Sequence, residues 1–117
     1  EKTEMHQYKK SNPRPFKCTV SYNALIPGIG MGKATHMGWI ITDSFFDPST
    51  GIGTEKIYAS DGSELYMTWD MENYAGTWQI TGGTGRFVDA TGSGEWSGFF
   101  TPDSPFFTIH LVGYIIF

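Results

Sequence analysis

The side chains able to do chemistry in this 117-residue sequence are few and scattered. The histidines are His6, His36 and His110, and the lone cysteine is Cys18. No histidine pair has ligand spacing and zinc sites normally need three protein ligands, so no metal site is expected. Cys18 sits among alternating apolar residues and reads as a small buried hydrophobe rather than a nucleophile. Carboxylates inside strand-like segments carry more information than those in loops. Glu95, in Gly92-Ser93-Gly94-Glu95-Trp96-Ser97-Gly98, alternates with Ser93, Ser97 and Phe99 on the face opposite Trp96. Facing inward it would be a buried acid with a raised pKa, fit for general acid or base work; facing outward it is solvated. Asp70, next to Trp69, is another carboxylate within a strand-like segment. No serine stands in a nucleophile elbow.

Two glycine-rich segments imitate nucleotide sites without meeting their requirements. In Gly28-Ile29-Gly30-Met31-Gly32-Lys33-Ala34-Thr35, Lys33 is followed by Ala34 rather than Ser or Thr, and no helix follows to present its N-terminus to a phosphate. In Gly83-Thr84-Gly85-Arg86-Phe87-Val88, Val88 occupies the place of the third glycine of the dinucleotide fingerprint. No cofactor is expected.

The elements that must position these groups are strands. From Arg14 the pattern has period two, with Phe16, Cys18, Val20, Tyr22 and Ala24 alternating with polar residues. Further strands are predicted over residues 34–46, 54–60, 63–71, 74–81, 91–100 and 106–117. Pro27, Gly28, Gly30 and Gly32 read as a loop, Asp61-Gly62 as a two-residue hairpin, and residues 86–90 as one short helical turn. Residues 1–13 are polar, without periodicity, and are predicted to be a flexible arm ahead of a single domain over 14–117. Seven to eight short strands joined by tight turns predict an all-β fold, an antiparallel up-and-down, calycin-like β-barrel. Closure also removes the edge that the apolar segment 111–117 would otherwise expose.

Composition agrees. Aromatics make up 16% of the chain, with four Trp, six Tyr and nine Phe, while Leu and Ala are scarce; this excludes a helical bundle. Net charge is −4, and residues 18–117 hold ten acidic against three basic side chains, so nucleic acid is not an expected partner. No apolar run reaches about 18 residues, so no transmembrane helix is expected. Phe117, Ile115, Leu111 and Ile109 resemble the last strand of an outer-membrane barrel, but Lys17, Lys56 and Glu64 fall where a lipid band needs apolar residues. The sequence starts at Glu1 rather than Met, which fits removal of a leader. The expectation is a secreted or periplasmic protein, with the cytoplasm as the alternative.

The most specific segment is Ile80-Thr81-Gly82-Gly83-Thr84-Gly85-Arg86-Phe87-Val88-Asp89-Ala90-Thr91-Gly92-Ser93-Gly94. It resembles the glycine-rich signature of the allene oxide cyclase-like barrel superfamily, which includes the plant dirigent proteins. Ala34-Thr35-His36-Met37-Gly38 is similar to an element of small bacterial members. The resemblance implies an eight-stranded antiparallel barrel with an apolar cavity. The activities it implies are cyclisation of an unstable fatty-acid epoxide or steering of radical coupling. The resemblance carries the fold and suggests a cavity; it assigns no catalytic residue in this sequence.

The leading expectation is therefore a barrel that binds a small apolar or aromatic molecule. Tyr22, Trp39, Trp69, Trp78 and Phe87 are the expected lining, and His36, Glu95 and His110 the polar groups that orient the ligand. The alternatives are a cyclase or isomerase acting by confinement and a structural or interaction module with a solid core. A homo-oligomer would suit the last strand, which is apolar on both faces.

Overall fold

The computed structural model describes residues 12–117. The arm expected over residues 1–13 lies outside them except for Asn12 and Pro13, which are exposed. Eight strands follow one another in chain order: β1 (Arg14–Asn23), β2 (Ile29–Ala34), β3 (Gly38–Asp47), β4 (Ile52–Tyr58), β5 (Glu64–Asp70), β6 (Ala75–Gly83), β7 (Thr91–Phe100) and β8 (Phe106–Ile116). Each pairs antiparallel with the next, and β8 pairs with β1, which closes the barrel. Between β6 and β7 the chain makes a 3-10 turn at Gly85–Phe87, the one helical element among the described residues. No helix among the described residues is long and apolar enough to cross a membrane.

Period-two alternation places one face of every strand inside. From β1 these are Phe16, Cys18, Val20 and Tyr22, and they meet the inward side chains of β8, Leu111 facing Cys18 and Ile109 facing Val20. Ile109, Leu111 and Ile115 thus point toward the interior, opposite to the arrangement of an outer-membrane strand, whose apolar residues face lipid.

The structure corrects the local expectations at two places, residues 29–37 and the hairpin at 61–62. Residues 29–34 form β2 instead of a loop, and residues 35–37 are a turn instead of the start of a longer strand. The glycines misled because they are spacing devices within a strand. A Cβ on Gly30 would lie 2.5 Å from Val20 Cγ1, and one on Gly32 only 1.8 Å from the Thr19 carbonyl oxygen. The inward row Gly30, Gly32, Ala34 is small because β1 and its side chains crowd it. The second correction concerns Asp61-Gly62. Ala59 N–H bonds Ser63 O at 2.8 Å and Gly62 N–H bonds Ala59 O at 3.1 Å, which makes a three-residue loop, with Gly62 at φ 92°. That is a type I turn completed by a left-handed residue, the usual three-residue hairpin.

The up-and-down path gives the barrel two different ends. One carries the turns at 35–37, 59–63 and 84–90 together with both ends of the barrel chain, and it is packed shut. Phe87 is fully buried there, with its ring centroid 5.1 Å from that of Phe117. Asp61 receives the Arg86 guanidinium at 2.7 Å, and the Ser63 hydroxyl accepts the Arg86 N–H at 3.1 Å. Gly85 starts this turn at φ 61°, and a Cβ there would lie 2.4 Å from Ser63 Oγ. Gly85→Ala is therefore expected to cost at least about 1 kcal/mol. Thermal unfolding checks this; an unchanged melting temperature would show that the turn rearranges freely. The other end carries the loops 24–28, 48–51, 71–74 and 101–105, and it is open.

Candidate functional site

At the open end the interior is hollow. A cavity of about 540 Å³ lies among Tyr22, Ser44, Phe46, Glu55, Met67, Trp69, Trp78, Trp96, Phe107, Ile109 and Leu111. Pro27, Gly28, Met71, Tyr74 and Phe100 frame its mouth. The volume falls within the range of about 300–1,000 Å³ usual for small-molecule sites. This corrects the solid-core alternative: the barrel's own aromatics stand along the wall and do not fill it.

The wall is built by setting tryptophan against glycine on the neighbouring strand. Trp69 on β5 pairs with Gly53 on β4, Trp96 on β7 with Gly76 on β6, and Trp78 on β6 with Gly94 on β7. In each case the indole lies over the missing side chain. A Cβ on Gly53 would be 2.1 Å from Trp69 Cε2, and one on Gly94 2.6 Å from Trp78 Cζ2. The rings lie flat along the wall, so three large side chains point inward and space still remains. Trp78 Nε1 donates to Glu95 O at 3.0 Å and Trp96 Nε1 to Asp70 O at 2.8 Å, which pins two of them. Trp69 Nε1 is buried with no acceptor among the described residues. Trp69 is held by its rings alone, stacked on Phe46 at 5.4 Å and edge-on to Trp96 at 5.9 Å.

One side of this apolar chamber is polar. Glu55 on β4 is 8% exposed, and its Oε2 accepts a hydrogen bond from the Tyr22 hydroxyl at 2.7 Å. Tyr22 in turn accepts one from Thr42 Oγ1 at 3.2 Å and contacts Ser44 Oγ at 3.1 Å. Burial pushes the Glu55 carboxyl above the usual carboxylate range; the hydroxyls of Tyr22, Ser44 and Thr42 oppose this and do not cancel it. Burial and then the nearby Glu55 push the Tyr22 phenol up as well. The site is therefore a carboxyl that holds its proton to higher pH than a free one does, bonded to a phenol shifted in the same direction.

The chain's likeness to known proteins is structural. No protein-family model and no curated protein matches this sequence. The fold is similar to that of a pterocarpan synthase dirigent protein at 12% identity and a TM-score of 0.47, over 91% of this chain and 84% of that one. A second pterocarpan synthase dirigent protein matches at 12% identity and a TM-score of 0.47, over 90% and 94%. A pyocyanin demethylase matches at 19% identity and a TM-score of 0.45, over 86% and 98%. The structural neighbours include dirigent proteins.

Of the side chains singled out from the sequence, the cavity brings together Tyr22, Trp69 and Trp78. The others lie elsewhere. Trp39 precedes the inward Ile40 on β3, so it points outward, 69% exposed, with the Lys33 ammonium 5.0 Å from its ring centroid. Phe87 is interior but plugs the closed end. His36 sits in the 35–37 turn at φ 70° and bonds Pro15 O at 2.9 Å. Glu95 is exposed on the outer face of β7, between the inward Gly94 and Trp96. His110 lies on the outer face of β8, its Nδ1 3.2 Å from Thr19 Oγ1 and its ring edge-on to Phe99. None of the three candidate polar groups reaches the cavity; Glu55 takes that place. The sequence held a signal for it: Gly53, Glu55, Ile57 and Ala59 share one parity, and Ile57 and Ala59 are core residues.

Glu55 also gives stability a pH dependence with a definite sign. The folded carboxyl holds its proton to higher pH than the unfolded chain, where the value is about 4.3. Between those two values the unfolded state binds fewer protons, so stability falls as pH rises through the window. Asp61 and Asp70 act in the opposite sense. Hydrogen bonds, led by the backbone N–H of Ser63 and of Thr77 respectively, hold them below the usual range, and their contribution is lost only as pH drops toward the folded values. Glu55→Gln is expected to flatten the decline above pH 5 and to melt higher than the wild-type protein at pH 8, by about 3 °C or more. Parallel pH-dependent melts check this; identical slopes in the two proteins would show that Glu55 ionises as freely folded as unfolded.

Proposed function

We propose that this barrel binds one small, largely apolar, ring-containing molecule in the open-end cavity, oriented by Glu55 and Tyr22. The observation that supports this most is the chamber itself: three tryptophans held flat against glycines, with one buried carboxyl on the wall. Hydrophobic enclosure supplies affinity and a few polar groups supply orientation, as in most small-molecule sites.

The test is quenching of tryptophan fluorescence by a panel of phenolics, terpenoids and fatty acids, in the wild-type protein and in Gly53→Val. The new side chain needs the space Trp69 Cε2 occupies, so the indole must swing into the cavity. Affinity is expected to drop by about tenfold or more, since overpacking a filled site typically costs 1–3 kcal/mol. Equal affinity in the two proteins would place the ligand outside the barrel.

A cyclase or isomerase acting by confinement is the second reading, and the Glu55–Tyr22 contact at 2.7 Å on the cavity wall favours it. A carboxyl backed by a phenol can pass a proton to an enclosed substrate when protonated, or take one from it when ionised. Bound compounds recovered unchanged after prolonged incubation would leave the binding function alone.

A further inference from the structure

The cavity lacks the charge that Glu55 calls for. No Lys, Arg or His is among the residues that line it, and Glu55 is the ionisable acid there. Its bonded partner, Tyr22, is a neutral hydroxyl, backed by Thr42 and Ser44. The ion pair among the described residues is Arg86–Asp61, at the closed end. A buried carboxylate without a counter-ion is costly, and apolar residues of similar size would fill the same wall without that cost. The remaining walls present aromatic rings of Phe46, Trp69, Trp78, Trp96 and Phe107, whose faces attract cations. The mouth has the same bias. The loops 24–28, 48–51, 71–74 and 101–105 contain no Lys or Arg, while Glu72 and Asp103 lie in them and Asp47 and Asp70 at their edges. Acidic rims of this kind concentrate cations at an opening.

We propose that the ligand is an aromatic ring system carrying a cationic or protonatable nitrogen, with the nitrogen against the Glu55 carboxyl and the rings among the tryptophans. This rests on the cavity being a binding site and names the chemistry of what it takes. A neutral base accepts the Glu55 proton on binding, leaving carboxylate and ring cation in contact. A permanent cation binds as the Glu55 proton leaves to solvent, so its affinity rises with pH. The titratable and charged groups around Glu55 are Cys18 and Tyr22 from β1 and Asp43 from β3, with Lys56 next along β4 on its outward side. The thiol and the phenol are both pushed up by burial and stay protonated through neutrality.

The experiment compares two probes of one shape: N-methylquinolinium, a permanent cation, and 1-methylnaphthalene, its neutral counterpart. Each is titrated against the full chain by tryptophan fluorescence between pH 5 and pH 8, in wild type and in Glu55→Gln. At pH 8 the wild-type protein is expected to favour the cation by about tenfold or more, as cation–aromatic contacts and one buried carboxylate together supply. That ratio is expected to shrink at pH 5, and to fall to about two or less in Glu55→Gln. The pH series in the wild type yields the same answer if the variant does not fold. Equal or weaker binding of the cation in wild type would overturn the proposal, as would a preference that survives both low pH and Glu55→Gln. If only the neutral probe binds, the cavity reading stands and the charge inference fails; if neither binds, the cavity reading itself fails.

Discussion

Gly94→Val is expected to destabilise the closed barrel sharply. Gly94 on β7 faces Gly113 on β8, and the Trp78 indole lies across both. A Cβ at position 94 would stand 2.0 Å from the Val112 carbonyl oxygen, 2.6 Å from Trp78 Cζ2 and 2.8 Å from the Gly113 Cα. The first and last of these are backbone atoms in a hydrogen-bonded ladder, so no rotamer change relieves them. Overpacking a well-packed interior costs 1–3 kcal/mol, and the rigid backbone contact puts the loss at about 3 kcal/mol or more. At this chain length that lowers the melting temperature by about 10 °C or more. Gly51→Ala is the control. Gly51 has φ 76° but nothing within 4 Å of its would-be Cβ, so only the backbone term of about 1 kcal/mol applies. Similar melting temperatures for the two variants would show that β7 and β8 separate easily, and that the flat tryptophan wall does not depend on its glycines.

Phe87→Ala is expected to cost about 3–5 kcal/mol, as removal of a fully buried phenyl ring usually does. The ring comes from the 3-10 turn between β6 and β7 and closes the barrel end against Phe117, with the Arg86 guanidinium 4.7 Å from its centroid. Its loss leaves a void at the closed end, where the turns and both ends of the barrel chain meet. Binding should respond differently from stability. Phe87 does not line the open-end cavity, so affinity for a cavity ligand is expected to be unchanged at temperatures where the variant is folded. Thermal melts paired with fluorescence titrations at 10 °C separate the two effects. A large fall in affinity with little loss of stability would return Phe87 to the lining role that its aromatic character suggested.

The fold was largely legible because its signal is local. Phe16, Cys18, Val20 and Tyr22 repeat at the period of a strand, and a strand with one apolar face must bury it. Residues 91–100 were delimited at both ends as the structure has them, since a glycine-rich turn precedes them and Thr101-Pro102-Asp103 follows. Gly30 and Gly32 hid β2 because glycine reports two different things. In a loop it permits unusual backbone angles, and in a strand it makes room for a neighbour; only the neighbour, here Val20, Thr19 and Tyr22, tells which. Trp39 shows the same limit for aromatics. Its type suggested the interior, but it sits one residue from Ile40, and a single step along a strand reverses the face.

By itself the sequence determined the β class, the antiparallel succession of strands, the glycine turn before β7 and an interior rich in aromatics. These follow from residue type and spacing within a few positions of one another. Tertiary structure alone decided that the aromatics leave a chamber. That depends on which glycine lies across from which tryptophan, as at Gly53 and Trp69, Gly76 and Trp96, and Gly94 and Trp78. It alone decided that the polar group is Glu55 rather than His36, Glu95 or His110. Glu55 reaches Tyr22 from 33 positions away, across β2 and β3. A hydrogen bond across the inside of a barrel joins residues whose separation in sequence carries no information about their separation in space.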